Sequence, residues 1–164
     1  MKILIKQATI IDVNSEFNGK TKDVLIDDNT IVSIKDSIQE DNAKVIEHPN
    51  LHLSLGWVDL KANFCDPGME HKETVETGLD AAAAGGFTHV AVLPSTQPVV
   101  DGKSQIEYLL RKGENHVTSI HPIGALTMGM KGENLSEMYD MNLCGVKLFT
   151  DDLHYVSAGI MYRA

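Results

Sequence analysis

No stretch of this chain approaches the about 20 consecutive apolar residues that a membrane-spanning helix requires. Positive charge is scarce as well: 14 Lys and Arg stand against 23 Asp and Glu, a formal net charge of −9. A general nucleic-acid surface needs a basic patch, so that class of partner is excluded, and the acidic excess favours solubility. There are only two cysteines, Cys65 and Cys144, with no CxxC and no Cys/His knot. Reduced thiols in a cytoplasmic protein are therefore the expectation, rather than a disulfide framework or a structural metal knot. The opening segment Met1-Lys2-Ile3-Leu4-Ile5-Lys6 lacks the long apolar stretch of a secretory signal, its run being broken at Lys6. A Gly-rich phosphate fingerprint is missing too, because Ser95-Thr96-Gln97 follows an apolar strand candidate without a glycine.

What is present is ordinary globular material: 164 residues, 43% hydrophobic and 23% charged. That is enough to bury a core in one or two small domains. Residues 1–52 read as β. Ile3-Leu4-Ile5, Ile10-Ile11 and Val45-Ile46 are short apolar runs. Val24-Leu25-Ile26 and Ile31-Val32-Ser33-Ile34 flank the turn-forming cluster Asp27-Asp28-Asn29-Thr30, which predicts a hairpin. No helical period is visible before about residue 70.

The pattern then changes. Residues 53–60 predict one apolar strand, 87–93 a second ending at Pro94, 117–126 a third and 145–149 a fourth. Helices are predicted over 73–85, stopped by Gly85-Gly86, over 104–112 with Ile106, Leu109 and Leu110 on one face, over 134–141, and from 157 onward. Alternation at this spacing is the sign of parallel βα units, arranged as an open doubly wound sheet or as a barrel.

Short motifs narrow the choice. The segment Asp59-Leu60-Lys61-Ala62-Asn63-Phe64-Cys65-Asp66-Pro67-Gly68 resembles D-x-H-x-H-x-R-x-P-G, the strand-1 motif of the dihydroorotase family of cyclic-amide hydrolases. Gly56-Trp57-Val58-Asp59-Leu60, Glu70-His71-Lys72-Glu73-Thr74, Gly78 through Thr88, Leu93-Pro94-Ser95-Thr96-Gln97-Pro98 and Phe149-Thr150-Asp151-Asp152 resemble further motifs of that family, in order and over nearly the whole chain. The resemblance implies an α/β fold. A small β-sandwich segment over 1–52 precedes the first four βα units of a TIM-type (β/α)8 barrel over 53–164. A complete barrel takes about 250 residues.

The resemblance also implies a chemistry. Active relatives hold zinc on the two strand-1 histidines, where it polarises a carbonyl and activates water. Their reaction interconverts carbamoyl-aspartate and dihydroorotate in pyrimidine biosynthesis. In this chain Lys61 and Asn63 stand at the histidine positions. An ammonium cannot ligate a cation, and a carboxamide oxygen is a poor zinc ligand. Cys65 replaces the arginine that clamps the substrate carboxylate, and a thiol offers no bidentate fork. Ser95 replaces a substrate-binding asparagine. Asp152 is retained at the position of a metal-bridging aspartate. Lys147 stands where related hydrolases carry a carboxylated lysine and is read as an ordinary lysine.

No intact catalytic set and no bound cofactor are therefore expected of a family that otherwise uses zinc. The Lys61 ammonium is expected to face Asp152 in place of the metal. Asp151 is read as a solvated or capping carboxylate, residues 127–132 as a mobile surface loop, and His89 as a satisfied core histidine. His121 is the best spare ligand among seven histidines without recognisable ligand spacing. The expected role is that of a degenerate dihydroorotase-like paralogue. Its partner would be another copy of itself, an aspartate carbamoyltransferase or an active dihydroorotase, with neither nucleic acid nor membrane. The alternatives are an active zinc enzyme that draws ligands from beyond this chain, and a fragment without function.

Overall fold

The computed structural model describes residues 1–164, which divide into two compact units, Met1–Leu55 and Gly56–Ala164. The first unit is a single sheet of β1 (Lys2–Ile11), β2 (Thr21–Asp27), β3 (Thr30–Lys35), β4 (Ala43–Glu47) and β5 (His52–Ser54). The order is β3-β2-β1-β4, with β5 also beside β1. The hairpin partners β1–β2 and β2–β3 run antiparallel, while β4 and β5 run parallel to β1. Leu4, Ala8, Ile10, Val24 and Ile38 are its buried apolar residues. Asp28 and Asn29 both take positive φ, 41° and 69°, which is what a two-residue loop needs to match the twist of β2 and β3. The expected hairpin is thus present.

All five strands hydrogen-bond into one sheet, so the unit supplies one of the two layers that a sandwich has. Its buried polar anchor is Asp23, fully buried, whose carboxylate accepts from the Gln7 N–H at 2.9 Å and the Ile38 N–H at 3.0 Å. Burial pushes the Asp23 carboxyl up, but these backbone donors outweigh it and hold the group below the usual range. Gln7 sits at φ 50°, at the register shift between Ile5 and Ala8.

In the second unit β6 (Trp57–Ala62), β7 (Phe87–Val92) and β8 (Ser119–Pro122) form a parallel sheet in that order. The helices are α1 (Val75–Ala84), α2 (Lys103–Lys112), α3 (Met138–Leu143) and α4 (Ala158–Arg163). Thr74 caps α1 by accepting from the Thr77 N–H, while the Thr77 hydroxyl accepts from the Thr74 N–H. Leu79 of α1 and Ile106 and Leu109 of α2 are fully buried against Val90, Val92 and Ile120 of the sheet. No helix is long and apolar enough to cross a membrane.

Two sequence expectations need correction. The strand expected over 53–60 is two strands, broken at Leu55-Gly56: β5 pairs with β1, and β6 with β7. Gly56 is required there, since a Cβ would lie 2.0 Å from the Thr88 side chain. The strand expected over 145–149 does not form. Its only ladder contact is the bridge between Gly124 and Phe149. Alternate N–H groups along a strand point to opposite sides. The Ile123 N–H goes to Val92 at 2.9 Å and the Gly124 N–H to Leu148 at 3.0 Å. The residue that faces the same side as Gly124, one step earlier, is Pro122, which has no N–H to give. Three parallel strands are present, with helices packed on one face.

Candidate functional site

Lys61 near the end of β6 and Ser95 in the loop after β7 converge on Asp152, and the segment after β8 is tied to the neighbouring Asp151. Each is held by bonds that the sequence explains. Within β6, the Asp59 carboxylate accepts from the Lys61 N–H at 2.9 Å. Gly68 takes φ 96° and leaves no room for a side chain, because a Cβ would lie 1.9 Å from the Gln97 carbonyl oxygen. The Gln97 N–H donates to the Pro67 carbonyl at 2.9 Å, so the Pro67-Gly68 turn is stitched to the loop carrying Ser95.

Asp66 fixes the same turn from beneath. It is fully buried, accepting from the Val75 N–H at 3.1 Å at the start of α1 and from the Tyr108 hydroxyl at 2.7 Å, with the Lys112 ammonium 3.6 Å away. Burial and Asp66 together raise the Tyr108 hydroxyl above its ordinary range. The Lys112 ammonium is raised chiefly by Glu76, 2.8 Å away.

Asp151 plays the corresponding part after β8. It is 3% exposed, so of the two readings, solvated or capping carboxylate, the structure agrees with the second. Its Oδ1 accepts from the N–H groups of Leu126 and Thr127, both at 2.9 Å, and its Oδ2 accepts from the Thr127 hydroxyl. The neighbouring Asp152 takes φ 51°, a left-handed conformation that Asp tolerates better than most residues.

In this position Asp152 meets two of the sequence-predicted residues. The Ser95 hydroxyl donates to its Oδ2 at 2.8 Å. The Lys61 Nζ lies 3.2 Å from its Oδ1. That oxygen is buried and accepts no well-aligned hydrogen bond, so its charge is met by the ammonium through proximity. The Asp152 side chain is 11% exposed and that of Lys61 63% exposed. The Ser95 hydrogen bond holds the Asp152 carboxyl below the usual range against the opposing effect of burial, and Lys61 adds to it.

Asn63 and Cys65 do not join the cluster. The Asn63 side-chain oxygen accepts from the Cys65 N–H at 3.1 Å, and the Cys65 thiol lies 3.5 Å from the same oxygen. Cys65 sits at φ 62° in this turn. The two residues spend their polar groups on each other, an Asx-type turn. Lys147 is exposed on the wall of a separate cavity. Met130, expected on a mobile loop, is 7% exposed and its sulfur lies 4.0 Å from the Ser95 hydroxyl. It ends the 3₁₀ turn Met128–Met130.

The donor set of the cluster is one carboxylate, one hydroxyl and one ammonium. No three His, Cys, Asp or Glu side chains are placed to share a metal ion. The cluster therefore does not fit the zinc of the family. What it can do is hold a carboxylate ionised against a cation.

Residues 52–164 match the family described as dihydro-orotase-like. The chain belongs to that family. It is 43% identical over 166 aligned positions to a dihydroorotase of Syntrophotalea carbinolica, covering 100% of this chain and 39% of the relative. A dihydroorotase of Thermoanaerobacter is 40% identical, with 99% and 38% covered. The chain thus spans about two fifths of the length of these curated relatives. Among solved structures, the L-hydantoinase (dihydropyrimidinase) of Arthrobacter aurescens superposes with a TM-score of 0.71 over 98% of this chain and 36% of its own, at 15% identity. A D-hydantoinase gives 0.67 over 99% of this chain and 36% of its own, at 18% identity. These likenesses place the fold with the N-terminal region of such hydrolases.

Sequence reasoning missed Asp66, Tyr108 and the burial of Asp151. Asp66 lies inside the recognised motif at a position the motif leaves unspecified, and Tyr108 lies 42 residues away. No local spacing connects them. It also misplaced His89, which is exposed and hydrogen-bonded to His121 rather than buried.

Proposed function

We propose that this dihydro-orotase-like chain belongs to a protein of pyrimidine biosynthesis whose hydrolytic metal site has degenerated. It serves as a structural partner of an aspartate carbamoyltransferase, of an active dihydroorotase or of a second copy of itself, in the cytoplasm. The observation that carries this reading is the Lys61 ammonium 3.2 Å from Asp152. An ammonium 3.2 Å from the carboxylate competes with a metal ion for the same oxygen, with water screening part of the repulsion at the exposed Lys61. Lys61 supplies the positive charge that Asp152 requires and supplies neither a Lewis acid nor an activated water.

The remaining altered positions support the same role. Cys65 and Asn63 are turned to each other, so neither offers a substrate carboxylate a donor fork. Three parallel strands with helices on one face are what the opening of a (β/α)8 barrel supplies, and we read the second unit as that part. The frame residues Asp59, Pro67 and Gly68 serve backbone geometry. Their retention alongside altered ligand positions suits a protein kept for its shape.

The test is co-elution. The chain mixed with aspartate carbamoyltransferase or dihydroorotase from the same organism is expected to form a complex on gel filtration while leaving dihydroorotate unhydrolysed alone. Turnover by the chain itself at a rate abolished by Asp152→Asn contradicts the reading.

A further inference from the structure

We propose that His89 and His121 form a binding site for a divalent late transition-metal ion with tetragonal preference, copper(II) or nickel(II), on the open face of the β6-β7-β8 sheet. The site shares no residue with Lys61, Asn63, Ser95 and Asp152, and it stands independently of the proposed function. The two imidazoles are 32 residues apart in sequence and are brought together by parallel pairing. Ala91 is the register partner of His121, and Ser119 that of His89. The histidines therefore lie on one diagonal of the ladder, and small side chains lie on the other. With nothing bulky between them, the rings lean together until Nδ1 of His89 and Nε2 of His121 are 2.9 Å apart. Their centroids are 5.1 Å apart and the planes are tilted by 35°.

That distance is the length of an N–H···N hydrogen bond, and it also suits one coordination geometry. With metal–nitrogen bonds of about 2.0–2.1 Å, two ligands at a right angle lie about 2.9 Å apart, whereas tetrahedral ligands lie about 3.3 Å apart. The pair matches adjacent corners of a square-planar or octahedral ion. Now one shared proton bridges the two nitrogens. A metal ion replaces that proton after modest rotation about χ2, whose wells are broad for histidine. The strand backbones do not need to move.

The surroundings favour the neutral imidazoles that a metal requires. Both histidines line a cavity of about 470 Å³ whose wall is mostly apolar, including Val58, Leu60, Ala91 and Leu148. The other polar lining groups are the Cys144 thiol and the Lys147 ammonium. Lys147 is exposed, so water screens its charge. The chain as a whole carries a net charge of −9, which draws cations towards it. No third His, Cys, Asp or Glu completes the set, so water fills the remaining positions and binding is weaker than in a closed four-ligand site.

The test is titration of the 164-residue chain with copper(II) at neutral pH, followed by electron paramagnetic resonance and calorimetry. The expected result is stoichiometric copper in a tetragonal spectrum with hyperfine splitting from two imidazole nitrogens. H89Q and H121Q each weaken binding by about tenfold or more and leave splitting from one nitrogen, while K61M and H48Q/H52Q bind as the parent does. Circular dichroism confirms that each variant is folded, and the two-nitrogen splitting in the parent is a readout that needs no variant. Parent-like affinity in a folded H89Q/H121Q double variant overturns the proposal. So does a parent spectrum without two-imidazole splitting.

Discussion

At the scale of single residues, one carboxylate organises the site. Asp152 is 11% exposed and depends on Ser95 and Lys61 for its charge. Because Lys61 is largely in water, the pair is worth only about 0.5–1 kcal/mol, well short of a buried bridge. A double-mutant cycle with Lys61→Met and Asp152→Asn is expected to return a coupling of that size in chemical denaturation; strictly additive effects would show that the two charges do not interact. The pH dependence follows from the lowered Asp152 carboxyl. A group with a depressed folded value adds stability above its unfolded value, near pH 4, and loses it as pH falls through the folded value. The difference in stability between parent and Asp152→Asn is therefore expected to be constant from neutral pH to about 5 and to shrink below about 4, as read from melting curves across that range.

Lys61, Ser95 and Asp152 were legible in the sequence because the motif frame aligns them. Asp66 was not legible, although it is the more deeply buried carboxylate. Its partners Val75 and Tyr108 come from two different helices, and only folding makes them neighbours. Asp66→Ala leaves the buried Val75 N–H and the part-buried Tyr108 hydroxyl without their partner and is expected to cost about 2–3 kcal/mol, against about 1 kcal/mol for Tyr108→Phe, both measured by urea unfolding. Equal small effects would show that the network is not buried as described.

At the scale of elements, the helices were readable because their signals are local. Thr74 at the cap and Gly85 at the end bound α1, and the apolar spacing of Ile106 and Leu109 marks the inner face of α2. The strands were less readable. A run of apolar residues does not reveal that Leu55-Gly56 divides it between two sheets, nor that Pro122 withholds the donor a fourth strand needs. Which strands pair is a long-range property, and no local pattern in residues 1–52 reveals that all five strands share one sheet. The junction of the loops after β6 and β7 offers a test at this scale. Gly68→Ala puts a Cβ against the Gln97 carbonyl in a left-handed conformation, with no flexible neighbour to give way. It is expected to destabilise the chain by about 2 kcal/mol or more, whereas Gly19→Ala, with φ 73° but open space, costs about 1 kcal/mol from backbone strain alone. Thermal melting of both variants checks the ordering.

At the scale of the whole molecule, the proposed function separates a family frame from a family chemistry. Asp59, Pro67, Gly68 and Asp151 hold loops in place through backbone hydrogen bonds and close contacts, whatever stands at the ligand positions. That separation explains why the family was plain from the motifs while the activity was not. The central claim is that an ammonium stands where relatives place a metal. The most direct measurement is the zinc retained per chain, by atomic emission after saturation with zinc and gel filtration. It is made on the parent, on Lys61→His/Asn63→His and on Asp152→Asn. The account predicts no stoichiometric zinc in the parent and a gain of zinc in the double-histidine variant. Stoichiometric zinc in the parent that disappears in Asp152→Asn would contradict it.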